Sequence, residues 1–145
     1  MSPRDFSAEV LVVRLDLMRD LLDDLDAVGV LTVERLQNDR IARRATERIL
    51  TQLVDLAADI NTHAATSLGG LRPTEYRQSF DDAARAGLIR QDLADALKAS
   101  VGMRNVLIHE YVATDLEMVA AAVPLARRNY AAYVRSVATW LQARG

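Results

Sequence analysis

The sequence predicts an all-α fold, an antiparallel bundle of four to five helices, and three observations predict it. Apolar residues recur at helical spacing through nearly the whole chain. Proline occurs only at 3, 73 and 124, and most glycines fall between the periodic segments. No segment of useful length alternates apolar and polar residues as a half-buried strand does. At 145 residues the chain suits one domain, 1–145, with no linker, internal repeat or low-complexity tract.

The first helix is expected from about Ser7 to Ala27, with Val10, Val13, Leu17, Leu21 and Leu25 as its buried stripe. Gly29 interrupts it, and Thr32 to Leu36 reads as a short lead-in turn. A long second helix follows, about Asn38 to Thr66, with Ile41, Ala45, Ile49, Leu53, Leu56 and Ile60 on its buried face. It stops at Ser67-Leu-Gly-Gly70. Pro73 suits the first turn of a third helix, about Thr74 to Ala86, which Gly87 ends. A fourth begins near Gln91, can bend around Gly102 and continues to about Val112. Thr114-Asp-Leu-Glu117 has the form of a capping box. It opens a last helix to about Ala143, in which Pro124 is expected to make a kink or break. Trp140 and Tyr133 share a face of that helix and suit core or dimer packing.

Composition narrows the function. Half the residues are hydrophobic and 26% are charged, the balance of a soluble globular chain. Cysteine is absent, which excludes disulfides and thiolate metal sites and fits a cytoplasmic location. The start, Met1-Ser-Pro-Arg-Asp-Phe6, lacks the basic-then-apolar pattern of a secretory signal, and no apolar run is long enough to span a membrane. The net charge is −2, whereas proteins that bind nucleic acid by bulk electrostatics are usually basic. Any RNA contact therefore has to be local.

One segment concentrates chemistry: Arg104-Asn-Val-Leu-Ile-His-Glu-Tyr111. With Arg104 at zero on a helical wheel, Asn105 lies near 100°, His109 near 140° and Tyr111 near −20°. These residue types suit metal-free RNA cleavage. The 2′-hydroxyl must lose a proton and the leaving 5′-oxygen must gain one, and histidine serves either role. Arginine donates paired hydrogen bonds to the phosphate as its charge builds. Asparagine can hold the imidazole or a phosphate oxygen. One histidine cannot easily be both acid and base, so a symmetric dimer with two motifs across a cleft is the natural arrangement. The plainer alternative is a satisfied Arg and His near a helix end, with no catalysis.

Other residues carry weaker signals. Asp55 and Asp59, one turn apart, are candidates to orient Arg104. Arg40, Arg43, Arg44 and Arg48, like Arg127, Arg128 and Arg135, read first as solvated faces and second as contacts for RNA or an acidic partner. His63 sits near the end of the second helix, where its charge suits the helix C-terminus. Neither histidine has glutamate three residues before it, and two distant histidines without cysteine give no zinc spacing. No metal and no cofactor are expected.

Val101-Gly-Met-Arg-Asn-Val-Leu-Ile-His-Glu-Tyr111 resembles the signature of HEPN ribonucleases, Arg, four residues, His, one residue, Tyr, in the form typical of HepT toxins. The likeness extends to Arg48-Ile-Leu-Thr-Gln-Leu-Val-Asp-Leu-Ala-Ala-Asp-Ile-Asn61, to Arg72-Pro-Thr-Glu-Tyr-Arg-Gln-Ser-Phe80 and to Ala86-Gly-Leu-Ile89. It covers about residues 8 to 140. The resemblance implies a homodimeric toxin that cuts RNA, transfer or messenger, without metal. It implies a partner, a minimal nucleotidyltransferase antitoxin of the MntA type, which transfers AMP to the motif tyrosine. By this resemblance Arg104 and His109 are catalytic, Asn105 supports them, and Tyr111 is the modified residue. An AMP phosphodiester on Tyr111 would pair with Arg104 and exclude the substrate phosphate. The other function considered is a non-catalytic HEPN bundle that only binds a nucleotidyltransferase.

Overall fold

The computed structural model describes residues 8–67, 75–109 and 115–144. They form six helices: α1 (Ala8–Val28), α2 (Val33–Asn38), α3 (Arg40–Ser67), α4 (Tyr76–Arg85), α5 (Gln91–His109) and α6 (Leu116–Arg144). No strand occurs among them, as the periodicity predicts. The lead-in turn is α2, a helix of six residues whose N-cap Thr32 accepts a hydrogen bond from the Arg35 amide. The long α3 is the central element and packs against all five others. One core cluster draws residues from every helix, including Leu11, Leu36, Leu53, Phe80, Leu97 and Tyr133.

The buried stripe of α1 differs from the expected one. Leu11, Leu15, Met18 and Leu25 face the core, while Val13 is 53% and Leu17 48% exposed. Apolar residues occur almost all round this helix, so two stripes compete. The heptad-like spacing of 11, 15, 18 and 25 wins because it faces α3 and α6 together. On α3, Ile49, Leu53 and Ile60 are buried as expected, but Ile41 is 76% exposed. The first turn of α3 buries Ala42 and Thr46 instead.

The cap of α6 is Asp115, whose carboxylate accepts from the amides of Glu117 (3.0 Å) and Met118 (3.3 Å). Thr114 lies outside the described residues. Pro124 stands inside an unbroken α6. An interior proline costs a helix about 3 kcal/mol, and burial of Val119, Val123, Ala126 and Tyr130 on either side offsets it. The helix α5 runs through Gly102 without interruption. Gly29 and Gly87 end α1 and α4 with φ of 86° each, the left-handed conformation that glycine adopts at little cost.

Inside this core lies a polar network that fixes α4. Asn61 of α3 is fully buried. Its Oδ1 accepts from the Tyr133 hydroxyl of α6 at 2.6 Å, and its Nδ2 donates to Ser79 Oγ of α4 at 3.2 Å. Ser79 in turn donates to the Tyr76 carbonyl at 2.6 Å. The Tyr133 hydroxyl also lies 3.1 Å from the Ala57 carbonyl. Burial pushes the Tyr133 phenol well above its ordinary pKa, so it stays a donor.

Tyr133→Phe removes that donor and leaves a buried amide oxygen without its partner, at a cost of about 1–3 kcal/mol. The urea midpoint should fall with an unchanged m-value. An unchanged midpoint would show that the network contributes nothing to stability.

Candidate active site

The end of α5 carries Arg104, Asn105 and His109, and the start of α4 meets the first two of them. Val101 and Met103 are buried and seat this stretch of α5 on the core. Arg104 therefore leaves the helix where α3, α4 and α5 converge. Its side chain is 21% exposed, and its Nε donates to Asp55 Oδ1 of α3 at 3.0 Å. The guanidinium carbon lies 4.6 Å from the centroid of the Tyr76 ring, within cation–π range. Nη1 donates to Asn105 Oδ1 at 3.2 Å.

The guanidinium is thus held by a carboxylate on one edge and a ring on one face. Of the five N–H groups an arginine carries, these bonds commit one at Nε and one at Nη1. Among the described residues nothing takes the Nη2 donors, which leaves them for a ligand. That is the arrangement a phosphate receptor needs: fixed in direction, and still able to offer paired donors.

Tyr76 is half-buried, and its phenol is raised above 10.0. Burial is the largest cause, the nearby Asp55 carboxylate adds to it, and Arg104 works the other way. The ring stays neutral around pH 7 and can lie against the cation.

A groove of about 390 Å³ opens beside Arg104, lined by Glu75, Tyr76, Arg77, Val101, Arg104 and Asn105. Gly102 faces Arg77, one of the groove residues. A Cβ there would stand 3.1 Å from Arg77 Nη2, so the missing side chain leaves room for that guanidinium. Glycine within a helix costs about 1 kcal/mol relative to alanine.

The structure gathers some of the expected residues and separates others. Arg104 and Asn105 share the groove, and Asp55 holds Arg104. Asp59, one turn further along α3, pairs with Arg14 of α1 instead. His109 ends α5, exposed and beyond the groove lining. Tyr111 lies outside the described residues. His63 is half-buried on α3. Arg40, Arg44 and Arg48 are exposed along α3, and Arg127 is engaged with Asp26 at 2.8 Å and the Leu25 carbonyl at 3.1 Å. Among the described residues, no three His, Cys, Asp or Glu side chains gather as metal ligands, and no helix is long and apolar enough to cross a membrane. Tyr76 and Arg77 were not visible as site residues, because their relation to α5 depends on how α4 docks. A Gly two residues before the motif Arg was the one local sign of close approach.

A family model described as "Ribonuclease HepT-like" matches residues 18–137. A tRNA nuclease HepT from Aphanizomenon flos-aquae is 27% identical over 132 residues, 91% of this chain and 90% of the relative. An mRNA nuclease HepT from Shewanella oneidensis is 34% identical over 77 residues, 53% of this chain and 55% of the relative. Among solved structures, a tri-AMPylated Shewanella oneidensis HEPN toxin in complex with its MNT antitoxin superposes with a TM-score of 0.81 at 20% identity, covering 92% of this chain and 99% of that one. The cytosolic protein YutE of unknown function from Bacillus subtilis superposes with a TM-score of 0.82 at 14% identity, covering 96% and 93%. These superpositions show the helical fold.

Asp55→Asn removes a charge beside Tyr76 and leaves its burial in place. The phenol pKa should fall part of the way toward 10.0, read from the Tyr76 ring resonances against pH. The sign follows from linkage: a phenol raised by folding stabilises the fold fully below pH 10.0 and loses that contribution as pH climbs through the raised value. No movement in Asp55→Asn would mean that the carboxylate does not act on the ring.

Proposed function

The chain belongs to the HepT-like ribonuclease family, and from that premise we propose that it is a metal-independent endoribonuclease toxin of a two-gene toxin–antitoxin pair. The observation that carries this reading is Arg104, held by Asp55 and Tyr76 at the edge of an open groove, with His109 exposed on the same helix. The same motif buried in a dry core would have spoken against it.

Cleavage proceeds by attack of the 2′-oxygen on the adjacent phosphorus. The P–O5′ bond breaks, leaving a 2′,3′-cyclic phosphate and a 5′-hydroxyl. A histidine takes the proton from the 2′-hydroxyl, and a histidine returns one to the 5′-oxygen. Arg104 donates to the phosphate oxygens where negative charge accumulates. Asn105 accepts from Arg104 Nη1 and supports its placement.

Pairing of two chains fits this geometry. Within one chain the Arg104 side chain leans across Tyr76 toward Asp55 on α3. His109 lies about 140° away round the helix. A second copy facing the first supplies the other histidine and brings the two groups to one phosphodiester. An apolar groove of about 420 Å³ between α5 and α6, with Met103, Met118 and Leu125 on its walls, offers surface for that pairing.

Control by AMP transfer to Tyr111, from an MntA-type nucleotidyltransferase, completes the reading. The AMP phosphodiester would bring negative charge to the phosphate-binding guanidinium and compete with substrate. The tri-AMPylated Shewanella oneidensis toxin in complex with its MNT antitoxin supports it. Transfer RNA or messenger RNA is the substrate, the two classes named for its HepT relatives. A binding-only bundle would not need an arginine so placed, with donors left over.

The test is cleavage of labelled RNA by the purified chain in a chelating buffer. Wild type should cut and leave cyclic phosphate ends. Arg104→Ala and His109→Ala should each lose about 100- to 1,000-fold while keeping the wild-type thermal midpoint. Co-expression with the nucleotidyltransferase should add AMP mass to the Tyr111 peptide and abolish cutting. Cleavage that needs added metal, or that survives both substitutions, would refute the reading.

A further inference from the structure

Arg77 is the second guanidinium of the groove, and the mechanism above makes no use of it. It is exposed on the first turn of α4 and lines the groove with Arg104 and Asn105. Among the described residues it has no carboxylate partner, whereas Arg104 has Asp55. An unpaired surface arginine ordinarily extends into water. This one lies against α5, where its Nη2 comes within 3.1 Å of the place a Gly102 Cβ would occupy.

Gly102 shares a stripe of α5 with Asn105 and His109. The spacing is i, i+3, i+7, which keeps all three within about 60° round the helix. From Gly102 to His109 is about 10 Å along the axis. Arg77 therefore marks one end of a track along α5 whose other end is the histidine; Arg104 leaves the helix about 100° round from Asn105 and is linked to that stripe by its bond to Asn105 Oδ1. Glu75 also lines the groove, and its charge favours an anion that stays close to the two guanidinium groups.

Resting on the nuclease reading, we propose that Arg77 is a phosphate-binding residue for the substrate RNA. It takes a phosphodiester neighbouring the scissile one and so sets the direction in which the strand crosses α5. A guanidinium suits this task, since it offers paired donors to phosphate oxygens. The chain has a net charge of −2, so a cation without a carboxylate partner, directed into the groove, counts for more than bulk charge does. Arg77 touches no reacting atom here; its contribution is to binding and register.

The test measures binding of a labelled single-stranded RNA as a function of salt, in a His109→Ala background that does not cut. Arg77→Ala should lower the slope of log K against log salt by about 0.7, one phosphate contact on a single strand, and weaken binding about tenfold at low salt. Arg77→Lys should keep the slope. Gly102→Ala, whose methyl group meets only the far end of a flexible side chain, should give a smaller loss of the same kind. Arg90→Ala removes an exposed arginine elsewhere and should leave the slope unchanged. Equal slopes for Arg77→Ala and its parent, or an equal drop for Arg90→Ala, overturn the assignment while leaving the nuclease reading intact. If the wild type neither binds nor cuts RNA, the nuclease reading fails and this assignment fails with it.

Discussion

Asn61 has no access to solvent, so its amide has to satisfy its hydrogen bonds inside the bundle, and it finds them on two other helices. An unmade bond at such a site costs about 1–3 kcal/mol, a large share of a small domain's stability. The amide therefore dictates how α4 and α6 sit on α3. Ser79 passes the constraint to the Tyr76 carbonyl, and Tyr76 is the residue whose ring covers Arg104. A buried polar network far from any substrate thus sets the direction of the guanidinium at the surface.

The same chain of contacts explains how an acidic protein can address a polyanion. Arg104 is neutralised along one edge by Asp55, and among the described residues its Nη2 end has no partner. Its charge is spent partly on being held, and what remains is aimed. Local placement of this kind does not need a basic surface, and a brief encounter with RNA is compatible with turnover. The exposed arginines of α3 lie apart from the groove lining and serve as a solvated face.

Much of the fold was legible because the helix is a local structure. Proline and glycine marked most of its boundaries, and the Arg104 to Tyr111 string stood out by residue type alone. What stayed hidden depended on which faces meet. The stripe of α1 is ambiguous in sequence because Val13 and Leu17 are as apolar as Leu15 and Met18, and only the positions of α3 and α6 decide between them. Asp55 and Asp59 looked equivalent, yet one turn of α3 sends the first to Arg104 and the second to Arg14. Tyr76 enters the sequence reading only within the Arg72 to Phe80 stretch, and its ring becomes part of the site through the docking of α4. The cap at Asp115 in place of Thr114 is a local choice between two good capping residues, which propensity does not separate.

The central claim is that the Arg104 and His109 side chains of two chains act together on one phosphodiester. Mixed dimers test it most directly. Wild-type and His109→Ala chains are co-expressed with different tags, isolated as the doubly tagged dimer and assayed for RNA cleavage. A shared site that needs both histidines predicts a mixed dimer as inert as the His109→Ala homodimer. A mixed dimer that keeps roughly half the wild-type rate, one working site of two, would contradict the account and return the chemistry to a single chain.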